Sequence, residues 1–329
     1  MPVVALLIWF VVVPQYSAAA GAFATVRSLS VPLVLSATAL EAASLLSFSI
    51  LTAVVLGYGR PRYFTLLFID LTDLGVNHVL PGGGTTAAAF RYRLLTWAGV
   101  PPREALTAAA MEMTGSNLAL GVLFATGVLL SFSLAGDIRN YLAAGLSTLA
   151  MLAASAAAVW ILVRHPGAAA RFLRALARRV PFLHEDRVDA LVWATAEQVR
   201  GLVTVPARMA AVAVFGLLNW VLDAAALWVF LMAFGSPLAI GPLLTVYGLA
   251  SILAMLPLTP GGLGIVEGVL IPSLAGFGVP GTTALLAVVG WRVVEFWLPI
   301  PVGAGAYVAL RLTARRGPHR SPPRTALPR

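Results

Sequence analysis

The stretch NHVLPGGGTTAAAFRYRLLTWAGV, Asn77 to Val100, lies in an apolar region that is broken at Pro81-Gly82-Gly83. A second stretch, PLTPGGLGIVEG from Pro257 to Gly268, breaks in the same way at Pro260-Gly261-Gly262. The two breaks are 179 residues apart, and the same offset carries Gly99-Val100-Pro101 onto Gly278-Val279-Pro280 and Ala105-Leu106 onto Ala284-Leu285. It also carries the apolar run that begins at Ser30 onto the one that begins at Met209. Motifs and runs that share one spacing mark an internal repeat, with halves at about 30–132 and 209–310.

Working outward, the rest of the chain is of the same kind. Of its 329 residues 60% are hydrophobic and 11% charged, at a mean hydropathy of +0.91. A soluble domain carries about 25% charged residues, and a disordered chain is charge-rich, so both are excluded. Crossing the roughly 30 Å hydrocarbon layer takes about 20 apolar residues in a helix. Such runs extend from Ser30 to Leu56, Ala105 to Phe132, Asn140 to Val163 and Met209 to Phe234. Thr282 to Leu310 is equally long but contains Arg292 and Glu295. The broken regions, Tyr63 to Ala98 and Pro242 to Phe277, read as half-helices that enter the membrane and turn back. The expected fold is an all-α polytopic integral membrane protein with about six to eight transmembrane helices, in a single domain over 1–310. A disordered basic tail is expected over 311–329. The apolar run Val3 to Val13 is too short to span; a first helix clipped at its start and a signal peptide are both open readings.

Every one of the 22 basic residues is Arg. With no Lys a Walker A loop and a Schiff base are impossible, and with no Cys so are disulfides and thiol nucleophiles. The net charge of +9 does not point to nucleic acid, because the Arg flank apolar runs rather than clustering on a soluble face. Their distribution orients the chain instead, since short cytoplasmic loops are rich in basic residues. With the loop 164–208 inside, nineteen Arg fall on the cytoplasmic side, Arg27 and Arg139 outside, and Arg292 within a span. The expected location is a bacterial plasma membrane, with that loop and the C-terminus cytoplasmic. In this topology the two halves are inverted. Within the loop, Ala168 to Val180 places Arg171, Arg174 and Arg178 on one helical face and Phe172, Leu176 and Val180 on another. It reads equally as a helix lying on anionic headgroups or as an ordinary basic loop.

The Pro-Gly-Gly turns are where chemistry is expected. Thr259 stands at an N-cap position with Pro260 at the first helical one, and glycines let another group approach the backbone. The half-helices that follow, about Gly84 to Trp97 and Leu263 to Ala275, would turn free N–H groups and a positive dipole end toward an anion. The same glycines would serve close helix packing. Ionisable residues at membrane depth are costly and so are candidates by default: Glu41, Asp70, Asp73, Glu112, Asp223, Glu267, Arg292 and Glu295. Arg292 and Glu295 are one turn apart and can pair; Glu267 stands two turns beyond Pro260. The expected phosphate binders are Arg292, with Arg91 and Arg93 at the inner mouth. Pro81, Gly82, Gly83, Thr259, Pro260, Gly261, Gly262, Gly264, Glu267 and Glu295 complete the candidate lipid site, with Asn77, Glu112, Asn117 and Asp223 as secondary candidates. Asp70 and Asp73 are expected close enough to an interface to be solvated. The four His have no metal-ligand spacing, no G-x-S-x-G occurs, and Gly262 to Gly268 lacks the βαβ context of a dinucleotide loop. No metal, cofactor or enzymatic reaction is expected.

At the two stretches quoted above and at WRVVEFWLP, Trp291 to Pro299, the sequence resembles the lysylphosphatidylglycerol synthase transmembrane region family. These flippase-like domains occur alone in many bacteria and archaea, and fused to an aminoacyl-lipid synthetase in the multiple peptide resistance factor. The likeness runs from about Ser30 to Leu310, and its more specific part includes Gly262, Gly264, Glu267 and Arg292. It implies a protein that moves a lipid between leaflets, as the fused relatives do with aminoacylated phosphatidylglycerol. Only an Arg/Pro-rich stretch follows residue 310, so lysyl-lipid synthesis is not implied. The expected function is translocation of a phosphate-bearing or aminoacylated lipid, downhill or ion-coupled, with membrane lipids as partners and a separate lipid-modifying enzyme or glycosyltransferase nearby. The alternative is a non-transporting scaffold or regulator of envelope synthesis.

Overall fold

The computed structural model describes residues 31–57, 59–80, 83–132, 161, 164–177, 193, 206–255 and 259–316. The first half is built from α1 (Val31–Leu56), α2 (Tyr63–Val79), α3 (Gly83–Trp97) and α4 (Pro102–Phe132). A short helix, α5 (Pro166–Ala177), precedes the second half. That half comprises α6 (Pro206–Ala233), α7 (Ile240–Ala254), a tight turn at Pro260–Gly262, α8 (Ile265–Gly276), α9 (Gly281–Arg292), a π segment (Val293–Trp297) and α10 (Pro299–Arg316). No strand occurs among the described residues. The expected span Asn140 to Val163 lies outside the described residues apart from Ile161, as do 1–30, 178–192, 194–205 and 317–329.

Helix length separates two kinds of element. Val31–Leu56, Pro102–Ser131, Met209–Ala233 and Gly281–Thr313 have 26, 30, 25 and 33 residues and are apolar enough to cross a membrane. At 1.5 Å per residue the shortest is about 37 Å long, enough to cross the hydrocarbon layer. In contrast α2, α3, α7 and α8 have 17, 15, 15 and 12 residues, at most about 26 Å. They are the two broken hairpins. Large apolar side chains such as Leu35, Phe64, Leu129, Val214, Ile240 and Val308 are exposed along these helices, as a lipid-facing surface requires.

The duplication reaches the level of single hydrogen bonds. After α3 the N–H of Val100 donates to Leu95 O at 3.0 Å, and after α8 the N–H of Val279, 179 residues on, donates to Leu274 O at 3.1 Å. Gly99 and Gly278 carry these turns at φ of 95° and 91°, a backbone region that side chains disfavour. The next helices begin alike, Ala105 donating to Pro101 O and Ala284 to Pro280 O, both at 2.9 Å.

The equivalent helices of the two halves are antiparallel. Ser44 Oγ donates to Asn219 O at 2.9 Å, and Asn219 Nδ2 returns to Ser44 Oγ at 2.7 Å. The carboxyls of Glu41 and Asp223 meet earlier on α1 and later on α6, while Leu51 and Val55 share a core cluster with Val212. The halves are therefore inverted relative to one another, and each lends a long helix to the other. Helix α2 lies along α10, and α7 along α4. Both crossings depend on glycine: a methyl group on Gly303 would fall 2.5 Å from Leu71 O, and one on Gly127 would fall 2.5 Å from the Thr245 backbone nitrogen. Small residues that let backbones meet are the usual means of packing helices in lipid, where no hydrophobic force holds them together. Gly303→Ala is therefore expected to lower the thermal midpoint in detergent, with overpacking costing about 1–3 kcal/mol. Gly305→Ala, where a methyl meets nothing within 4 Å, should leave it unchanged. Equal midpoints would contradict this packing.

The last helix runs to Arg316, six residues beyond Leu310, where the tail was expected to begin. The extension has a local cause, since Arg311 Nη2 and Nε donate to the Tyr307 hydroxyl one turn back, at 2.6 and 2.9 Å.

Candidate functional site

The second Pro-Gly-Gly turn is built by three glycines with positive φ: Gly261 (52°), Gly262 (69°) and Gly264 (84°). A methyl on Gly261 would fall 2.6 Å from Phe296 and 2.7 Å from His78, so the turn is wedged between the π segment and the end of α2. Contacts of α3 with this same turn complete the meeting of the two hairpins. Thr259 precedes the turn in extended conformation with Pro260 at the first position, but its hydroxyl caps nothing. Helix α8 starts at Ile265 rather than Leu263, and its N-cap is Gly264.

That cap is satisfied from within the helix. The N–H of Gly264 donates to Glu267 Oε2 at 2.6 Å, and the other oxygen of the same carboxylate accepts from Arg292 Nε, also at 2.6 Å. Arg292 Nη1 donates to Glu295 Oε2 at 2.6 Å and Nη2 to Gly261 O at 3.3 Å. Its guanidinium also lies over the Phe296 ring, 4.4 Å from the centroid, and the residue is only 3% exposed. Two groups that recognise anions, a guanidinium and a helix N-terminus, thus converge on one point, and the chain's own carboxylate holds it.

The π segment explains why Arg292 and Glu295 can both face inward. Pro299 has no N–H to offer the Glu295 carbonyl, and Leu298 instead donates five residues back to Val293 O, at 2.9 Å. The widened turn also presents Phe296 O to His78 Nδ1 at 2.9 Å, which places the ring proton on Nδ1 because a carbonyl can only accept. His78 stacks on Phe296 with ring centroids 4.5 Å apart, joining the first hairpin to the site in the second half.

Next to Arg292, Asp223 of α6 accepts from Tyr247 Oη at 2.7 Å and Trp291 Nε1 at 2.8 Å. Glu41 of α1, 6% exposed, brings a further carboxyl up to Asp223. The network therefore draws on α1, α6, α7, α8, α9 and the π segment.

A second charged cluster occupies the first half. Arg91 does not stand at an inner mouth: it is 4% exposed, with Nη2 2.9 Å from Asp70 Oδ1 and 2.5 Å from Glu112 Oε2. The same Nη2 donates to Thr52 Oγ1 at 2.8 Å, and Asp73 lies 4.0 Å from Nη1. Asp70 is accordingly buried rather than solvated, because α3 folds back on α2 and brings the guanidinium to it. The two clusters are not copies. The repeat carries Asp70, Asp73, Arg91 and Glu112 onto Leu249, Ile252, Leu270 and Trp291.

The remaining candidates stay apart. Arg93 is exposed on α3, Asn117 is exposed on α4, and Asn77 is partly buried near the end of α2. Gly83 begins α3, while Pro81 and Gly82 lie outside the described residues. Tyr247 and Trp291 were not singled out as site residues, since an aromatic residue in an apolar span carries no signal until its partner is known.

Comparison with known proteins agrees with this architecture. The family described as "Lysylphosphatidylglycerol synthase TM region" matches residues 2–303. A "UPF0104 membrane protein" of Methanothermobacter thermautotrophicus is 27% identical over 272 residues, covering 79% of this chain and 79% of the relative. Two shorter matches of the same description and organism are 30% identical over 91 residues and 33% over 98. The first covers 28% of this chain and 27% of the relative, the second 29% and 28%. With its helices, inverted halves and paired turns accounted for, the chain belongs to the lysylphosphatidylglycerol synthase transmembrane region family of polytopic membrane proteins.

Proposed function

We propose that the protein moves a phosphate-bearing lipid between leaflets along the seam where its inverted halves meet. The observation that carries the reading is the convergence of Arg292 and the Gly264 N–H on the carboxylate of Glu267, among helices long and apolar enough to span a bilayer. A phosphate oxygen has the same needs as that carboxylate oxygen, so a lipid headgroup would take its place while acyl chains stay in the bilayer. Binding sites of secondary transporters lie at repeat interfaces of this kind. No covalent chemistry is assigned to the lipid. A separate enzyme that makes or modifies it would be the natural partner.

The proposed setting is the plasma membrane, with the Arg-rich loop 164–208 and the C-terminus cytoplasmic, following the Arg distribution. The test is reconstitution into vesicles with fluorescent phosphatidylglycerol and a membrane-impermeant quencher. The expected result is label crossing faster than in protein-free vesicles. Equal rates would contradict translocation and favour a scaffold.

A further inference from the structure

The network around Arg292 holds more carboxyl groups than one guanidinium can balance. Glu267 and Glu295 bond Arg292 directly, and Asp223 and Glu41 follow behind them. Glu41 stands about one turn before Ser44 on α1 and Asp223 about one turn after Asn219 on the antiparallel α6, so the hydrogen bonds between Ser44 and Asn219 bring these two carboxyls face to face. Two ionised carboxylates have no donor between them and repel each other, so they stand together in this buried seam only if one of the two carries a proton. The second oxygen of Glu41, Oε2, is buried with no hydrogen-bond partner at all. Asp223 is already committed to Tyr247 and Trp291 as an acceptor, which leaves Glu41 as the natural holder of the hydrogen.

The surroundings of the pair are defined. Asp223 comes from α6, Tyr247 from α7, Arg292 from α9 and Glu295 from the π segment, and Glu267 and His78 reach it only through Arg292 and Phe296. Helices α2 and α4 also touch α1, but they gather their carboxylates Asp70, Asp73 and Glu112 around Arg91, which meets α1 at Thr52, about three turns further along.

We propose that the Glu41–Asp223 pair, set where the inverted halves cross, is a proton-binding site that couples proton movement to the binding of phosphate at Arg292. The inference rests on the translocation reading above. A phosphate that reaches Arg292 displaces Glu267 and adds one negative charge to a group already rich in carboxylates. The proton held by the pair offsets that charge, so phosphate enters while the pair is protonated and the pair releases its proton when the phosphate leaves. The proton is carried on a Glu41 carboxyl oxygen as an O–H, no bond of the lipid breaks, and nothing is oxidised or reduced. Proton and phosphate then move together, as a symport.

The experiment uses the full chain in vesicles with fluorescent phosphatidylglycerol, a pH difference of about one unit across the membrane, and protein-free vesicles as the control. One proton per singly charged lipid drives label toward the alkaline leaflet, up to about a tenfold leaflet ratio, because one unit of pH is tenfold in proton activity. Glu41→Gln keeps a donor toward Asp223 but has no exchangeable acid, so label should still cross while the ratio falls to that of the control. Label that crosses in the wild type and settles at the control ratio overturns the proton site and leaves translocation standing. No crossing at all overturns translocation, and the coupling with it. If Glu41→Gln does not yield a monodisperse protein, the wild-type ratio alone decides.

Discussion

Arg292→Ala should reduce lipid crossing to the rate of protein-free vesicles. The substitution strands Glu267 and Glu295, whose side chains are 22% and 18% exposed, and removes the donor to Gly261 O at the turn. Removing one partner of a buried pair costs about 3–5 kcal/mol, so this variant should also melt earlier. Arg292→Lys separates the two effects. It keeps the charge and with it most of the fold, but a single ammonium cannot reproduce the fork that serves Glu267, Glu295 and Gly261 together. A folded Lys variant that crosses lipid about tenfold or more slower is the expected outcome, measured in the same quencher assay. A Lys variant as fast as the wild type would remove Arg292 from the site.

The second large effect concerns Arg91. Arg91→Ala leaves Asp70, Asp73 and Glu112 gathered in the interior of the first half without their cation. Loss of monodisperse protein is expected, on the scale of about 3–5 kcal/mol. The duplication supplies its own rescue. At the four equivalent positions the second half carries Leu249, Ile252, Leu270 and Trp291, so this architecture accepts apolar residues there. Combining Asp70→Leu, Asp73→Ile, Arg91→Leu and Glu112→Leu should restore a monodisperse elution profile and a near wild-type melting point. A combined variant no better than Arg91→Ala alone would show that the cluster does more than hold α2, α3 and α4 together.

The fold was legible for physical reasons. A span must be long and apolar, and Pro-Gly-Gly interrupts a helix whatever surrounds it, so the long helices and the broken hairpins stand out in the residue order. The offset of 179 residues then implied a repeat, and the Arg distribution implied that it is inverted. Much of the site was legible as well, because Arg292 and Glu295 lie three residues apart and Glu267 near a helix start. What was hidden is pairing across elements. Nothing local tells that Arg91 reaches Glu112, 21 residues on, or that Glu41 meets Asp223 from the other half. The cap was misjudged for a related reason. Thr259 has the right chemistry, but the turn places Gly264 at the helix start, where Glu267 can reach back to its N–H.

The account turns on Glu267 occupying the place of a lipid phosphate. Native mass spectrometry of the detergent-purified protein, titrated with phosphatidylglycerol, measures that directly. Glu267→Gln removes the competing charge while keeping the size of the side chain, so it should hold the lipid at least several-fold more tightly than the wild type. The gain should vanish when Arg292→Lys is added. Equal or weaker retention by Glu267→Gln would mean that no phosphate belongs between Arg292 and Gly264.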